Sequence, residues 1–136
     1  MNSLFNFKLF FLLIALFAIA SCKPDDNKDV DQRDKFAGTW NCAETSSKNH
    51  NTINFSVSIS KNELTTNEIS LTNFYDLGAD QKARLTVDYS NLSIPQQVIC
   101  NLNIHGSGAF TQSKINLLYY VNDNADIDTV NAVLSK

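Results

Sequence analysis

The sequence predicts an all-β domain in which about eight antiparallel strands follow one another as an up-and-down meander and close into a barrel. From Phe36 onward, apolar residues recur at every second position, which is the period of a half-buried strand. Short polar turns separate these segments, and no segment carries an apolar stripe at helical spacing. A β-sandwich is the alternative fold. The barrel is favoured because closure leaves no strand edge exposed.

Residues 1–21 have the make-up of a secretory signal peptide. Lys8 precedes an apolar run from Leu9 to Ala20, and a positive residue followed by about 7–15 apolar residues is typical of such peptides. A membrane-spanning helix requires about 20 apolar residues. We therefore expect this segment to be removed from the mature chain.

The end of the apolar run, Ile19-Ala20-Ser21-Cys22, resembles the lipobox of bacterial lipoproteins. The resemblance implies that Cys22 becomes the first mature residue and that its thiol takes up a diacylglyceryl unit. Two or three acyl chains, such as palmitate, make a durable membrane anchor, whereas one chain binds only marginally. The alternative is a secretory peptide without lipid that happens to contain a cysteine.

Residues 22–35 are predicted to form a disordered tether between the lipid and the domain. The segment is rich in charge, has no aromatic residue and cannot bury enough apolar surface to order itself. Lys23 followed by Asp25 and Asp26 resembles the export tags of surface lipoproteins from Bacteroidota-type bacteria. That resemblance implies an outer-membrane location, on the surface or the periplasmic face. An ordinary charged tether is the alternative.

The predicted β-domain covers residues 36–136. Pro95 cannot donate a ladder hydrogen bond and indicates a strand end or edge. Gly106-Ser107-Gly108 indicates a bulge or bend. The predicted apolar faces are Ile53, Phe55, Val57 and Ile59; Ile69 and Leu71; Ala83, Leu85, Val87 and Tyr89; Leu92 and Ile94; Val98, Cys100, Leu102 and Ile104; Ile115, Leu117, Tyr119 and Val121; and Val130, Ala132 and Leu134.

Gly38-Thr39-Trp40 resembles the Gly-x-Trp motif on the first strand of lipocalins and their calycin relatives. The resemblance implies a lipocalin-like barrel with Trp40 closing one end and Gly38 allowing a tight entry to the strand. Tryptophan combines a large apolar surface with one hydrogen-bond donor. An ordinary core tryptophan is the alternative interpretation of Trp40.

The chain has three cysteines. If Cys22 carries lipid, Cys42 and Cys100 remain as an even pair in an oxidising compartment, and a disulfide between them is the favoured prediction. Two buried free thiols are the alternative, because cysteine is also a common small core residue.

No arrangement of residues predicts a catalytic site, a metal site or a cofactor. His50 lies in a polar loop and His105 on a strand, without the three or four converging ligands that a transition metal needs. The oxygen-rich segment Asp123 to Asp128 lacks the spacing of an EF-hand and is interpreted as a turn, for which Asp and Asn are suited.

The charge composition argues against one class of partner. The formal net charge is -3, and the absence of a basic cluster argues against a nucleic-acid partner. We expect a lipid-anchored, non-enzymatic binding or interaction module of the cell envelope, with an envelope protein as partner. The alternative is a lipocalin-like carrier of a small hydrophobic ligand. Large inward residues in so short a domain favour a filled barrel over an open cavity.

Overall fold

A computed structural model describes residues 30–136 as an all-β domain. The signal segment, Cys22 and residues 23–29 of the expected tether lie outside the described residues. One short 3-10 helix, η1 (Phe74–Asp76), lies between the third and fourth strands. The eight strands are β1 (Gly38–Ser46), β2 (Thr52–Lys61), β3 (Glu68–Thr72), β4 (Lys82–Asp88), β5 (Asn91–Ile99), β6 (Leu102–Thr111), β7 (Lys114–Asn122) and β8 (Ile127–Ser135).

The strands form one closed barrel with an up-and-down meander, so the predicted fold class is confirmed. Each strand pairs antiparallel with the next, and β1 also pairs with β8, with Cys42 opposite Leu134. This last pairing distinguishes the barrel from the sandwich, because it joins the first and last strands and leaves no free edge between them.

The alternating apolar positions fill the barrel interior. On β8, Val130, Ala132 and Leu134 are buried while their neighbours Asn131 and Val133 are exposed, as the opposite direction of successive strand side chains requires. The largest fully buried side chains are aromatic and aliphatic and include Trp40, Tyr119, Phe36, Phe74, Ile69, Leu71 and Leu85.

One end of the barrel is closed by aromatic side chains. Phe110 lies edge-on to Phe36 and Trp40, with ring centroids 5.7 Å and 6.4 Å away. The indole Nε1 of Trp40 donates a hydrogen bond of 2.7 Å to the carbonyl of Phe36, and Lys136 Nζ lies 4.5 Å from the Trp40 ring centroid. We call this end, with Phe36, Trp40 and Phe110, the closed end.

Residues 31–35, which the sequence assigns to the tether, instead pack against the closed end. The guanidinium of Arg33 donates through Nη1 to the carbonyls of Asn62 at 2.8 Å and Thr65 at 2.6 Å. Arg33 also pairs with Asp31 at 2.8 Å. The tether prediction was wrong for this segment because backbone carbonyls elsewhere in the fold supply partners that composition does not reveal.

The predicted apolar face Val98, Cys100, Leu102 and Ile104 is wrong for its first two residues, which are exposed, whereas Ile104 is buried and Leu102 packs against the core. The pairing of β5 with β6 shifts register between Ile94 and Gln97, so Ile99 is buried and Val98 is 65% exposed. The chain then turns at Cys100 and Asn101, both with positive φ. An irregularity of this kind reverses the phase of the following residues, and a two-residue turn separates the strands that the prediction merged.

Gly106 and Gly108 are regular positions of β6 and not the predicted bulge. Gly106 is paired with Tyr119 and Gly108 with Leu117 on β7. A Cβ atom at Gly106 would lie 2.5 Å from the Leu118 carbonyl oxygen and from Tyr119 Cβ. The glycines therefore permit close approach of two strands, which is the other structural use of glycine within a strand.

Candidate functional site

The end of the barrel opposite the closed end contains a concave pocket. It has a volume of about 440 Å³ and lies between the end of β1, the β1–β2 loop and η1. We call it the mouth pocket. Its lining residues are mostly polar: Glu44, Ser46, Asn49, Asn51, Ile53, Tyr75 and Asp76.

The barrel beneath the mouth pocket is filled. The interior cavity measures about 10 Å³, close to the minimum for a single water molecule. Phe74 on η1 enters the barrel and packs against Tyr119 with ring centroids 4.6 Å apart. This supports the filled interior that the sequence favoured, because the 3-10 helix places a buried phenyl ring just inside the open end.

Glu44 lies at the boundary between the mouth pocket and the interior cavity and contributes to the lining of both. It follows Trp40 and Cys42 on the inward side of β1 and is only 3% exposed. Its carboxylate Oε2 accepts a hydrogen bond from the hydroxyl of Tyr119 on β7. Among residues 30–136, no Lys, Arg or His forms an ion pair with it.

Burial raises the pKa of Glu44 to about 7, because a charged carboxylate loses hydration inside the barrel. The hydrogen bond from Tyr119 acts in the opposite direction, and the nearby Asp76 and Asp128 raise the pKa further. The same burial and the charge of Glu44 raise the pKa of the Tyr119 hydroxyl, which therefore stays protonated and acts as the donor. Glu44 is thus a carboxyl that changes charge near neutral pH.

Asp128 on β8 is the second buried carboxylate at this end, and it is 2% exposed. Its oxygens accept hydrogen bonds from Ser46 Oγ at 2.7 Å, Tyr75 Oη at 3.0 Å and Ser47 Oγ at 3.0 Å. The amide of Lys48 donates to it at 3.2 Å. Burial opposes its ionisation, but these hydrogen bonds outweigh that cost and lower its pKa.

Asp128 therefore has a structural role that Glu44 does not share. Its four donors come from the end of β1, the β1–β2 loop and η1, so one ionised carboxylate connects the segments around the mouth pocket. Within residues 30–136, the Glu44 carboxylate has one hydrogen-bond donor, Tyr119, and no ion-pair partner. The two buried carboxylates differ because the number of donors around each one differs.

Gly38, Trp40, Cys42 and Cys100 are not among the residues that line the mouth pocket. Asp128, which the sequence assigns to a turn, instead lies in β8 and bonds to the segments around the pocket. Gly38, with φ of 114°, and Trp40 belong to the closed end. The expected disulfide is not formed: Cys42 is a free thiol buried inside β1, whereas Cys100 is a free thiol exposed in the β5–β6 turn. Cys22 lies outside the described residues.

His50 lies in the β1–β2 loop beside the mouth pocket but is not among its lining residues. The other histidine and the first residues of the Asp-rich segment lie elsewhere. His105 is on the outer wall, stacked on Tyr120 with ring centroids 5.0 Å apart. In the β7–β8 turn, Asp123 Oδ1 accepts hydrogen bonds from the amides of Ala125 and Asp126 at 2.9 Å. Within residues 30–136, no group of three His, Cys, Asp or Glu side chains is arranged to hold a metal ion.

Sequence reasoning missed Glu44, Tyr75 and Asp128 as site residues, although the sequence contains a usable signal for two of them. Glu44 is two residues after Cys42 and four after Trp40, so it lies on the same face of its strand as they do. Asp128 is two residues before Val130 and lies on the same face as Val130. A carboxylate on the apolar phase of a strand is buried and needs a partner. Tyr75 carries no such signal, because it follows the end of β3.

The part of the chain that the structure describes contains no helix long and apolar enough to cross a lipid bilayer. No protein-family model matches the chain, and no curated protein matches it. The identification that the geometry supports is therefore the fold, an eight-stranded antiparallel up-and-down barrel of the kind expected for a lipocalin-like domain.

Proposed function

We propose that this chain is a cell-envelope lipoprotein, anchored to the outer membrane by lipid on Cys22, whose barrel is a non-enzymatic binding module. Binding takes place at the mouth pocket. The apolar run followed by Ile19-Ala20-Ser21-Cys22 supports the anchor. The charged residues 23–29 provide a spacer between the lipid and the barrel.

The buried carboxylate in the lining of the mouth pocket, which has a volume of about 440 Å³, carries the binding proposal. Hollows of about 390 Å³ and 480 Å³ also lie beside the closed end, at Arg33, and on the outer wall, at His105, but of these three only the mouth pocket has a buried carboxylate, Glu44, in its lining. Ligand sites in proteins are concave, with volumes of roughly 300–1,000 Å³ and a few converging polar groups. The mouth pocket has these properties, and hydrogen bonds to Asp128 connect the segments that surround it.

The geometry favours this proposal over a carrier that encloses a hydrophobic ligand in the barrel. The interior cavity of about 10 Å³ has no room for such a ligand unless Phe74 and its neighbours move. The mouth pocket also argues against a serine hydrolase. The Ser46 hydroxyl donates to Asp128, whose lowered pKa makes it a weak base, and no histidine lines the pocket to take the proton instead.

The anchoring part is tested by labelling the chain with a radioactive or clickable palmitate in its own host. We expect the natural chain to carry the palmitate label and to be recovered in the membrane fraction. Cys22→Ser should carry no label and should be absent from that fraction. Cys100→Ser is the matched control, because it removes an exposed thiol of the barrel. Label that survives Cys22→Ser would exclude Cys22 as the lipidated residue.

The binding part is tested by native mass spectrometry of the chain purified from its host. Asn51→Trp places a large side chain in the mouth pocket, and Asn91→Trp makes the same change at the exposed start of β5 near the closed end. We expect a bound adduct on the natural chain and on Asn91→Trp but not on Asn51→Trp. An adduct that persists on Asn51→Trp would place binding elsewhere, and the absence of any adduct would contradict the binding module.

A further inference from the structure

The three most exposed large apolar side chains of residues 30–136 all lie at the closed end of the barrel. Leu64 in the β2–β3 loop is 93% exposed, Val30 before the first strand is 81% exposed, and Tyr89 in the β4–β5 turn is 70% exposed. Single exposed apolar residues are common on protein surfaces. The informative feature is therefore that these three share one end of the molecule.

The segment 31–35 brings the three exposed positions together. Arg33 donates to two backbone carbonyls of the loop that carries Leu64. The amide of Tyr89 donates a hydrogen bond of 2.8 Å to Gln32 Oε1. The third exposed residue directly precedes this segment. The apolar side chains thus project from one set of hydrogen-bonded segments at the closed end.

The chain leads from this end directly toward the proposed lipid. Seven residues, 23–29, separate Cys22 from Val30, and the connection spans at most about 29 Å. A strand of nine residues is about 30 Å long, so β1 is about as long as the whole connection. The mouth pocket could face the lipid only with the connection drawn out along the height of the barrel. The attachment therefore favours the closed end as the side toward the membrane.

The charges of the two ends favour the same orientation. Exposed acidic side chains around the mouth outnumber the basic ones, with Asp76, Asp80, Asp123 and Asp126 against Lys48 and Lys82. At the closed end the two signs balance, with Arg33, Lys35, Lys61, Lys114 and Lys136 against Asp31, Asp34, Glu63, Glu68 and Asp88. A membrane that contains anionic lipid therefore repels the mouth more than the closed end.

We propose that the closed end lies on the lipid surface to which the chain is anchored, with Val30, Leu64 and Tyr89 in the interfacial layer. This inference rests on the proposed function, because it requires the anchor on Cys22. Apolar side chains at such a surface enter about 5–10 Å into the boundary between headgroups and acyl chains. Tyrosine suits this layer because its ring is apolar and its hydroxyl is polar. The mouth pocket then opens toward the aqueous compartment.

The test places a nitroxide spin label at one end or the other of the lipidated chain, reconstituted in vesicles of phosphatidylethanolamine and phosphatidylglycerol. Cys100 is an exposed thiol in the β5–β6 turn, at the mouth end, whereas Cys42 is buried and its pKa is raised to about 12. Labelling the natural chain therefore reports on the mouth end. Thr66→Cys combined with Cys100→Ser reports on the closed end, because Thr66 is exposed in the loop of Leu64.

Electron paramagnetic resonance measures how often each label collides with oxygen, which concentrates in lipid, and with a nickel chelate, which stays in water. We expect the ratio of oxygen to nickel collisions to be severalfold higher for the label at position 66 than for the label on Cys100. Equal ratios, or a higher ratio at Cys100, would overturn the inference. A label at position 66 that is shielded from both reagents would indicate a protein on this end, such as a second copy of the chain, and would also overturn it.

Leu64→Ser combined with Tyr89→Asn removes two of the apolar side chains from the labelled Thr66→Cys chain. Asparagine readily adopts the positive φ of 51° at Tyr89. We expect the collision ratio to fall to that of the mouth-end label, while the chain still floats with the vesicles. Val98→Ser combined with Ile127→Ser is the matched control, because these side chains are 65% and 54% exposed elsewhere on the barrel. A ratio that the first pair leaves unchanged would contradict the inference.

Failure of this inference is distinguishable from failure of the proposed function. Palmitate labelling and flotation with vesicles report on the anchor, whereas the collision ratio reports on the surface that faces the lipid. A chain that floats while its closed-end label stays in water would keep the anchor and overturn the orientation. A chain without lipid on Cys22 would overturn both. Adduct binding at the mouth pocket is measured independently of either result.

Discussion

The hydroxyl of Tyr119 donates a hydrogen bond to the carboxylate of Glu44 inside the barrel. The two residues are 75 positions apart in the chain and come from β7 and β1. Within residues 30–136, it is the one hydrogen bond that the Glu44 carboxylate receives. The ionisation of this carboxyl therefore depends on one phenol as well as on burial.

Tyr119→Phe should raise the pKa of Glu44 above its value of about 7, because the hydrogen bond from Tyr119 lowers that pKa. At about pH 8 the variant should lose roughly 1.5–3 kcal/mol of stability, the usual size of a hydrogen bond to a charged group. The loss should be smaller at about pH 5, where Glu44 is protonated. Carbon-13 NMR of the Glu44 carboxyl and urea unfolding measure the two effects.

Tyr120→Phe is the control for that substitution. Tyr120 neighbours Tyr119 on β7 but stacks on His105 at the outer wall. It should leave the titration of Glu44 unchanged. An unchanged Glu44 titration in Tyr119→Phe would contradict the assigned hydrogen bond.

The stability of the natural chain should fall as pH rises from about 4.5 to about 7. In this window the folded chain holds a proton on Glu44, whose pKa is raised from 4.5 to about 7. The unfolded chain has already released that proton. Linkage then lowers the free energy of unfolding with increasing pH. A decrease of about 2–3 kcal/mol is expected, somewhat less than the full shift implies because of solvent screening.

Glu44→Gln should remove this slope and make the barrel more stable than the natural chain at about pH 8. Urea unfolding midpoints at several pH values test both statements. Glu63→Gln, near the closed end, should keep the slope. A slope that persists in Glu44→Gln would assign the titration to another group.

Cys100 should react with a thiol reagent in the native state, and Cys42 should react only after unfolding. Burial raises the pKa of the Cys42 thiol to about 12, and the thiolate is the reactive form. Cys100 is exposed in a turn. Counting thiols with and without denaturant checks this expectation. If the denatured protein contained no reactive thiol before reduction, the predicted disulfide between Cys42 and Cys100 would be present after all.

Gly106→Ala should destabilise the barrel by about 1–3 kcal/mol or more, since overpacking forces the backbone to move. The new Cβ would meet the Leu118 carbonyl and Tyr119 at 2.5 Å, and displacement of Tyr119 would also disturb Glu44. Ser107→Ala on the exposed face between the glycines should change stability by less than about 0.5 kcal/mol. Equal unfolding midpoints for the two variants would contradict the close approach.

Arg33→Ala should lower the urea midpoint more than Arg84→Ala does. Arg33 donates to the carbonyls of Asn62 and Thr65 and pairs with Asp31. Arg84 makes one ion pair, with Glu68 at 3.1 Å, from a side chain that is 54% exposed, and such surface pairs contribute about 0–1 kcal/mol. Protease cleavage before residue 36 in Arg33→Ala alone would show that this segment has detached.

Local patterns account for most of the strands and for the main errors. The alternation of β7 and β8 continues without interruption, and the prediction of these strands was correct. The strand β2 was also predicted, but Ile53 on its predicted apolar face is 45% exposed. On β5 the register shift after Ile94 changes which residues point inward. Pro95 indicates from the sequence that the strand is irregular there, but it does not reveal how many residues the irregularity includes. Glycine allows both bulges and close approaches, so Gly106 could not be interpreted without its partner Tyr119.

The sequence by itself determined the fold class, because a period of two and short polar turns depend only on neighbouring residues. The alternation of β1 and β8 also contains the inward positions of Glu44 and Asp128, although the prediction did not use them and assigned Asp128 to a turn. The tertiary structure decided what those carboxylates meet: Tyr119 for Glu44, and Ser46, Ser47, Lys48 and Tyr75 for Asp128. It also separated Cys42 from Cys100. These contacts depend on strand stagger around the closed barrel, which relates residues distant in sequence and has no local pattern.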